Sequence, residues 1–228
     1  MKLFGKLLEL VILDFDGVVL DLMARYWEIL EIVAQAHRLN PDSIQQYREG
    51  HYNGTRRGSP RIRGTVQELW PHLGDEAATA CYLAFRAEEE RTGYPPVPGS
   101  IETIRWLKER GVSVALCSMN DQRAMGWKLK MAELDVSSFD SVVTRERAGC
   151  DKPDPRIIDP IFSDVPVPKA KSVYVGDWYA DIELCRAARV PFLAVLSGGI
   201  PRHAFIREGV PEDHIIGSLA DLPKLITE

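Results

Sequence analysis

The sequence predicts an α/β protein built on a doubly wound, Rossmann-like parallel sheet with an inserted α-helical subdomain. Short apolar runs alternate along the chain with segments of helical period, as expected when crossover helices join parallel strands. Residues 14–111 separate the first apolar run from the second, which is far too many for one crossover connection. Most of that interval has a helical pattern, so we expect a second, helical unit there.

Five apolar runs are the predicted strands of the sheet. Each is short and nearly free of charged residues, which is typical of strands buried on both faces. Segments with helical period, such as residues 101–110 and 180–189, adjoin them. In chain order the predicted strands are residues 8–13, 112–117, 141–144, 172–175 and 192–196.

The helical insert has recognisable limits. Its first helix is predicted over residues 22–38 and its last over residues 76–91. The segment 94–99, rich in proline and glycine, then ends the insert. We therefore expect a core domain of residues 1–21 and 97–228, and a helical cap subdomain of residues 22–96.

Composition and charge exclude several classes of protein. The 28 Lys and Arg against 33 Asp and Glu leave a net charge of -5, so no overall basic field would attract nucleic acid or anionic lipid. A mean hydropathy of -0.15 is ordinary for a soluble globular chain. The cysteines form no CxxC pair, and the N-terminus does not resemble a signal peptide. We predict a cytoplasmic protein without nucleic-acid or membrane partners; its oligomeric state is not predicted.

Polar side chains follow several of the predicted strands. Ligands of open parallel sheets bind beyond the carboxyl ends of the strands, so these side chains are the candidate site. They comprise carboxylates, one hydroxyl and one amine. They are Asp14 and Asp16 after the first strand, Ser118 after the second, Lys152 before the fourth, and Asp177 and Asp181 after the fourth.

This set of side chains suits phosphoryl transfer. Carboxylates brought so close repel one another unless a cation lies among them, and oxygen ligands of this kind favour Mg²⁺. A carboxylate facing a phosphate can attack phosphorus to give an aspartyl-phosphate. A second carboxyl two residues further on, as Asp16 is to Asp14, could protonate the leaving oxygen and later deprotonate water.

Four motifs resemble those of the haloacid dehalogenase-like hydrolases in order and spacing. Within that family the chain looks most like the phosphoglycolate-phosphatase type, in which a helical cap occupies the place of residues 22–96. The resemblance implies a Mg²⁺-dependent enzyme that hydrolyses the phosphate monoester of a small metabolite. The motifs are Asp14-Phe15-Asp16-Gly17-Val18, Ser118 after an apolar strand, Lys152-Pro153, and Gly176-Asp177-Trp178-Tyr179-Ala180-Asp181.

The resemblance also implies a role for each acid. Asp14 would be the nucleophile and Asp16 the general acid/base. The metal ligands would be Asp14, the main-chain carbonyl of Asp16, and Asp177. Asp181 would support the metal site through a water molecule or through Lys152.

Other motif residues would bind the phosphoryl group or shape the pocket. Ser118 as a donor and Lys152 as a positive charge would hold phosphoryl oxygens. Met119 stands where a small or polar residue is common in the family, so only its backbone amide would serve the phosphate. Trp178 and Tyr179 are bulkier than the usual residues of their motif.

The cap contributes arginines but no lysine. A glycine-rich segment of the cap carries them, and two interpretations stay open: a solvated basic surface, or capture of a substrate carboxylate or second phosphate. The candidate residues are Arg56, Arg57, Arg61 and Arg63.

Four alternatives to a phosphatase differ from it in the acceptor, residues or segments that they need. A phosphomutase of the same family is the main alternative, because the same site can pass a phosphoryl group to a sugar. A phosphoacceptor signalling module would lack the large helical insert. A dehalogenase has no need of Asp16, and the family's phosphonate hydrolases use a cap lysine, which residues 22–96 do not contain.

Overall fold

The computed structural model describes residues 1–59 and 61–227, and a central sheet dominates it. The sheet has six strands, and every pairing in it is parallel. The strands of the chain are β1 Lys2–Leu3, β2 Lys6–Leu7, β3 Leu10–Leu13, β4 Ser113–Ser118, β5 Ser141–Thr144, β6 Ser172–Gly176, β7 Phe192–Val195, β8 Ile215–Ile216 and β9 Ile226–Thr227. The order across the large sheet is β5-β4-β3-β6-β7-β8, which confirms the predicted fold class.

Helices fill the intervals between the strands. The ends of the five predicted strands and four predicted helices differ from the observed ends by no more than two residues. The helices are α1 Met23–Ala36, α2 Asp42–Tyr52, α3 Ile62–Leu69, α4 Asp75–Thr92, α5 Ser100–Glu109, α6 Gln122–Met131, α7 Arg145–Ala148, α8 Asp159–Asp164, α9 Tyr179–Ala188, α10 Arg202–Arg207 and α11 Leu222–Leu225. Among the described residues, none of these helices is both long and apolar enough to cross a membrane.

Strand β3 shows why the apolar runs become central strands. All four of its side chains are fully buried. Val11 and Leu13 belong to the apolar cluster on one face of the sheet, while Leu10 and Ile12 belong to the cluster on the other. Both faces are thus covered, as a continuous apolar run requires.

Two features of the fold were not predicted. Strand β8 extends the large sheet to a sixth strand, and β2, β1 and β9 form a small antiparallel sheet. Each of these strands has only two residues, which is too short to show an alternation of polar and apolar residues.

Helices α1–α4 all lie between β3 and β4, within residues 22–96. They bury the aromatic side chains of Tyr26, Trp27 and Phe85 among themselves. An antiparallel bridge joins Leu20 to Pro96, so the chain leaves the core and returns to it at neighbouring points. The exact division of the chain into two domains stays a prediction.

Candidate active site

The site is built at the carboxyl edge of the three central strands. Asp14 directly follows β3, Ser118 is the last residue of β4, and Asp177 directly follows β6. Because β4, β3 and β6 are neighbours in the sheet, their parallel alignment brings these side chains together. They line a cavity of about 380 Å³ whose wall also includes Asp16, Met119, Lys152 and Asp181.

Three carboxylates converge at the site, and Lys152 forms ion pairs with two of them. Asp14, Asp177 and Asp181 each offer an oxygen, and these oxygens lie within 4.8 Å of one another. Burial raises the pKa of Asp177 well above its usual range, and the charges of Asp14 and Asp181 raise it further. Among residues 1–59 and 61–227, no donor is hydrogen-bonded to the Asp177 side chain. This arrangement of oxygen donors fits Mg²⁺.

Two glycines make room for Asp177. A Cβ atom at Gly17 or at Gly198 would overlap the Asp177 carboxylate. Gly17 also has a φ of 80°, a conformation that disfavours other residues. The backbone therefore encloses this carboxylate tightly on two sides.

Lys152 is the positive charge of this cluster. Its side chain is only 3% exposed, and its Nζ lies 2.9 Å from Asp14 Oδ1 and 2.8 Å from Asp181 Oδ1. The backbone amide of Phe15 donates a 2.7 Å hydrogen bond to the same Asp14 oxygen. Oδ2 of Asp14 accepts no hydrogen bond from the part of the chain that the structure describes, so this oxygen is available to a ligand.

The titration of Asp14 reflects these opposing surroundings. Burial raises the pKa of its carboxyl to about 7, even though the positive charge of Lys152 acts to lower it. A cation bound at the cluster would restore the ionised form, which is the form that can attack phosphorus.

Asp181 is held by contacts on both of its oxygens. It lies in the first turn of α9, where the backbone amide of Trp178 donates to Oδ2 over 3.1 Å. The Tyr174 hydroxyl donates to Oδ1 over 3.0 Å, and Lys152 pairs with that oxygen too. Asp181 therefore orients Lys152 directly.

Asp16 faces the cavity from the other side and has partners that the sequence analysis missed. Lys128 Nζ lies 2.8 Å and 2.9 Å from its two carboxylate oxygens. Asn120 Nδ2 donates to Asp16 Oδ2 over 2.7 Å and to Ser118 Oγ over 2.9 Å. Ser118 and Asp16 are thus joined through one amide.

One sequence signal could have identified Lys128. Helix α6 turns its apolar face to the core through Ala124, Met125 and Leu129, and Lys128 lies on that same face. A lysine at a buried helical position needs buried acidic partners. Burial acts to lower the pKa of Lys128, but Asp16 and Glu89 outweigh it and raise that pKa.

The four cap arginines divide into two pairs. Arg61 and Arg63 line the cavity, whereas Arg56 and Arg57 are not among its lining residues. Arg61 forms an ion pair with Asp151, the residue before Lys152.

The other arginines of this segment have partners on the protein. Arg63 pairs with Asp75 over 3.0 Å. Arg57 forms ion pairs at the outer surface with Glu183 and Glu208. Arg56 lies over the ring of Tyr47, with 4.7 Å between the guanidinium carbon and the ring centroid.

The cavity wall also contains a contact between α2 and the core. The His51 ring stacks on Trp178, with 5.5 Å between ring centroids and 19° between planes. Nε2 of His51 lies 3.1 Å from the carbonyl oxygen of Gly198. Burial lowers the pKa of His51, although that hydrogen bond acts to raise it. The large side chain of Trp178 thus packs against His51 of α2 and connects the helical insert to the core.

The amino-acid sequence is similar to those of several known proteins. A phosphoglycolate phosphatase of Pseudomonas fluorescens is 26% identical over 195 residues, covering 85% of this chain and 71% of that protein. The haloacid dehalogenase-like hydrolase domain-containing protein 3 of Mus musculus is 32% identical over 125 residues. That match covers 54% of this chain and 49% of the mouse protein, so it spans about half of that relative.

A solved structure shares the fold. It is that of a protein from Lactobacillus delbrueckii subsp. bulgaricus, provisionally assigned as a phosphoglycolate phosphatase. The TM-score is 0.79 at 19% identity, over 96% of this chain and 99% of that one.

The family itself is shown by a match to residues 8–189. The matching family model is that of the haloacid dehalogenase-like hydrolases. The relatives confirm the predicted resemblance to the phosphoglycolate-phosphatase type. With its motifs gathered at the carboxyl edge of the sheet, the chain belongs to the haloacid dehalogenase-like hydrolases.

Proposed function

We propose that this chain is a Mg²⁺-dependent phosphatase that hydrolyses the phosphate monoester of a small metabolite through an aspartyl-phosphate on Asp14. The observation that carries the proposal is the geometry of Asp14. One carboxylate oxygen is held by Lys152 and the Phe15 amide, while the other is available in the cavity. A nucleophile needs this combination of fixed orientation and a free lone pair.

The first chemical step forms one bond and breaks one. Oδ2 of Asp14 attacks phosphorus, and the ester bond between phosphorus and the leaving oxygen breaks. Asp16, in its protonated form, gives its proton to the leaving oxygen. Lys152 and the Ser118 hydroxyl contact the phosphoryl oxygens and balance their charge.

The second step regenerates the enzyme. Asp16, now ionised, takes a proton from a water molecule whose oxygen attacks phosphorus. The bond between phosphorus and Asp14 breaks, which releases inorganic phosphate and restores the Asp14 carboxylate. Asp16 regains the proton that the next cycle needs.

The residues proposed to hold the metal are Asp14, the Asp16 carbonyl and Asp177, with Asp181 behind them. Bound Mg²⁺ supplies positive charge against the phosphoryl oxygens during transfer. The raised pKa of Asp177 and its lack of a partner among the described residues support this assignment.

The substrate is proposed by class. Several relatives are called phosphoglycolate phosphatases, and phosphoglycolate carries a carboxylate besides its phosphate. Arg61 and Arg63 at the cavity wall would suit such a second anion. The cytoplasmic location and the absence of nucleic-acid or membrane partners stay predictions from the sequence.

A panel of phosphorylated metabolites tests the proposal. We expect release of inorganic phosphate from at least one monoester with Mg²⁺, and none after a chelator removes the metal. Transfer of the phosphoryl group to a second hydroxyl of a sugar phosphate, without free phosphate, would instead show the phosphomutase. An aspartyl-phosphate that persists for hours would show the signalling module.

A further inference from the structure

We propose that Lys128 is a positioning residue that holds the carboxylate of Asp16 in its working orientation, and that Glu89 of α4 holds Lys128 in turn. The inference rests on the proposed function, because it assigns a task to the acid/base of that reaction. It adds a link between the helical insert and the acid, through residues outside the four motifs.

The contacts of Lys128 are close and come from three segments of the chain. Its side chain is 1% exposed, and its Nζ reaches both oxygens of Asp16 at 2.8 Å and 2.9 Å. The same Nζ lies 3.1 Å from Glu89 Oε1. It also lies 5.4 Å from the centroid of the Tyr94 ring. The ammonium group of this α6 residue therefore contacts the loop after β3, helix α4 and the loop after α4.

Glu89 is itself fixed. Its side chain is 2% exposed, and its second oxygen forms an ion pair with Arg86 on the same helix. Arg86, Glu89, Lys128 and Asp16 thus form a row of alternating charges that ends at the cavity. The two positive and two negative groups of this row balance, so each charge in the row has an opposite partner.

Stability alone does not explain this row. A buried ion pair commonly stabilises a fold no more than apolar side chains of the same size, because both groups lose their hydration. The row ends on a carboxylate that is 24% exposed to the cavity, where orientation matters for chemistry. The terminal torsion of an aspartate is intrinsically broad, and only contacts at its oxygens fix it. Lys128 supplies contacts to both oxygens, and Asn120 supplies one.

The test compares Lys128→Met with Lys130→Met. Lys130 lies on the same helix but is exposed, so its variant controls for loss of a lysine from α6. A displaced acid should matter most where the leaving group needs a proton. For Lys128→Met we expect kcat/KM for an alkyl phosphate to fall by roughly 10²-fold, because kcat/KM reports the step that expels the leaving group and not the later hydrolysis of the aspartyl-phosphate. For nitrophenyl phosphate the fall in kcat/KM should be about tenfold or less. Lys130→Met should match the wild type.

The dependence on leaving group separates positioning from general damage. Loss of folded protein would lower kcat/KM equally for both substrates, and that result in a folded Lys128→Met sample would overturn the proposal. If Lys128→Met does not fold, because it leaves the row with one positive group against two negative ones, Lys128→Met/Glu89→Gln takes its place. This double variant removes one charge of each sign. The same leaving-group dependence is expected of it, and equal losses would again contradict the proposal.

A double-mutant cycle separates this inference from the proposed function. The single variant Asp16→Asn tests the proposed acid/base role of Asp16. Wild-type activity of this variant would refute that role. If Asp16→Asn is impaired, adding Lys128→Met should reduce kcat/KM for the alkyl phosphate by less than about threefold more, because there is no acid left to orient. If the loss of activity in the double variant equals the product of the losses in the two single variants, Lys128 acts independently of Asp16, which would overturn the proposal.

Discussion

The Nζ of Lys152 lies 2.9 Å from Oδ1 of Asp14, although the two residues come from distant segments of the chain. Asp181 fixes Lys152 from the other side at 2.8 Å. The contact leaves the second oxygen of Asp14 facing the cavity, and it offsets part of the desolvation that raises the Asp14 pKa. Orientation and ionisation of the candidate nucleophile thus depend on one lysine.

Replacing Asp14 with asparagine should abolish turnover in a folded protein. The amide is not a nucleophile toward phosphorus and is a poor ligand for Mg²⁺. We expect kcat to fall by roughly 10⁴-fold or more, as with other covalent catalysts. Steady-state kinetics with Mg²⁺ measures this, with the exposed Asp213→Asn as the matched control. Near-wild-type activity of Asp14→Asn would rule out Asp14 as the nucleophile.

The free energy of unfolding of the metal-free protein should depend on pH through Asp14. Its pKa is raised from an ordinary value of 3.8 to about 7 in the folded state. The contribution of this carboxyl to stability is therefore complete below about pH 4, where it is protonated in both states. It is lost as pH rises through 7, with a slope of at most about 1.4 kcal/mol per pH unit.

Chemical denaturation at several pH values measures that dependence. Asp14→Asn should show a flatter curve than the wild type between pH 4 and 7, whereas Asp213→Asn should keep the wild-type slope. Identical curves for the wild type and Asp14→Asn would contradict the raised pKa. The pH window follows directly from the two pKa values.

Mg²⁺ should stabilise the wild-type protein more than Asp177→Asn. A ligand that binds only the folded state adds about 2.7 kcal/mol at a hundred times its Kd. Removing one of the three apposed carboxylates should weaken metal binding, while it relieves repulsion in the metal-free state. Thermal unfolding with and without Mg²⁺ measures both effects. An equal Mg²⁺-induced rise in Tm for the two proteins would exclude Asp177 as a ligand.

Arg61 should contribute to the binding of substrates with a second anion. It lines the cavity beside Asp151, whereas Arg57 is paired at the outer surface. For Arg61→Ala we expect KM for such a substrate to rise by about tenfold, the effect of one charged hydrogen bond. Nitrophenyl phosphate should be hydrolysed as before. Arg57→Ala is the control. If the two variants have the same selectivity between such a substrate and nitrophenyl phosphate, Arg61 does not contribute to substrate binding.

Much of the site could be predicted because it follows from strand ends. Asp14, Ser118 and Asp177 each terminate or follow an apolar run, and parallel pairing puts such residues at one edge. An apolar run and the residue that follows it are neighbours in the sequence, so the sequence alone identifies them. The contacts of a residue with partners in other segments cannot be identified in this way.

Lys128 and Glu89 illustrate what was missed. Glu89 lies on a helix that also carries exposed charges, so it does not stand out by residue type. Lys128 lies on the apolar face of α6, but its partners Asp16 and Glu89 come from other segments, which the periodicity of α6 does not specify. Strand β8 was missed because two residues show no alternation. The split among the cap arginines likewise depends on how the loop before α3 folds.

Trapping the covalent intermediate shows which aspartate becomes phosphorylated. Asp16→Asn should still be phosphorylated by nitrophenyl phosphate with Mg²⁺, because this leaving group needs little proton donation, but should hydrolyse the intermediate slowly for want of a base. Denaturing quench followed by borohydride reduces an aspartyl-phosphate to homoserine, which peptide mapping locates. We expect homoserine at position 14, and none in Asp14→Asn/Asp16→Asn. Homoserine at the position of another aspartate, or no homoserine while nitrophenol is released, would rule out an aspartyl-phosphate on Asp14.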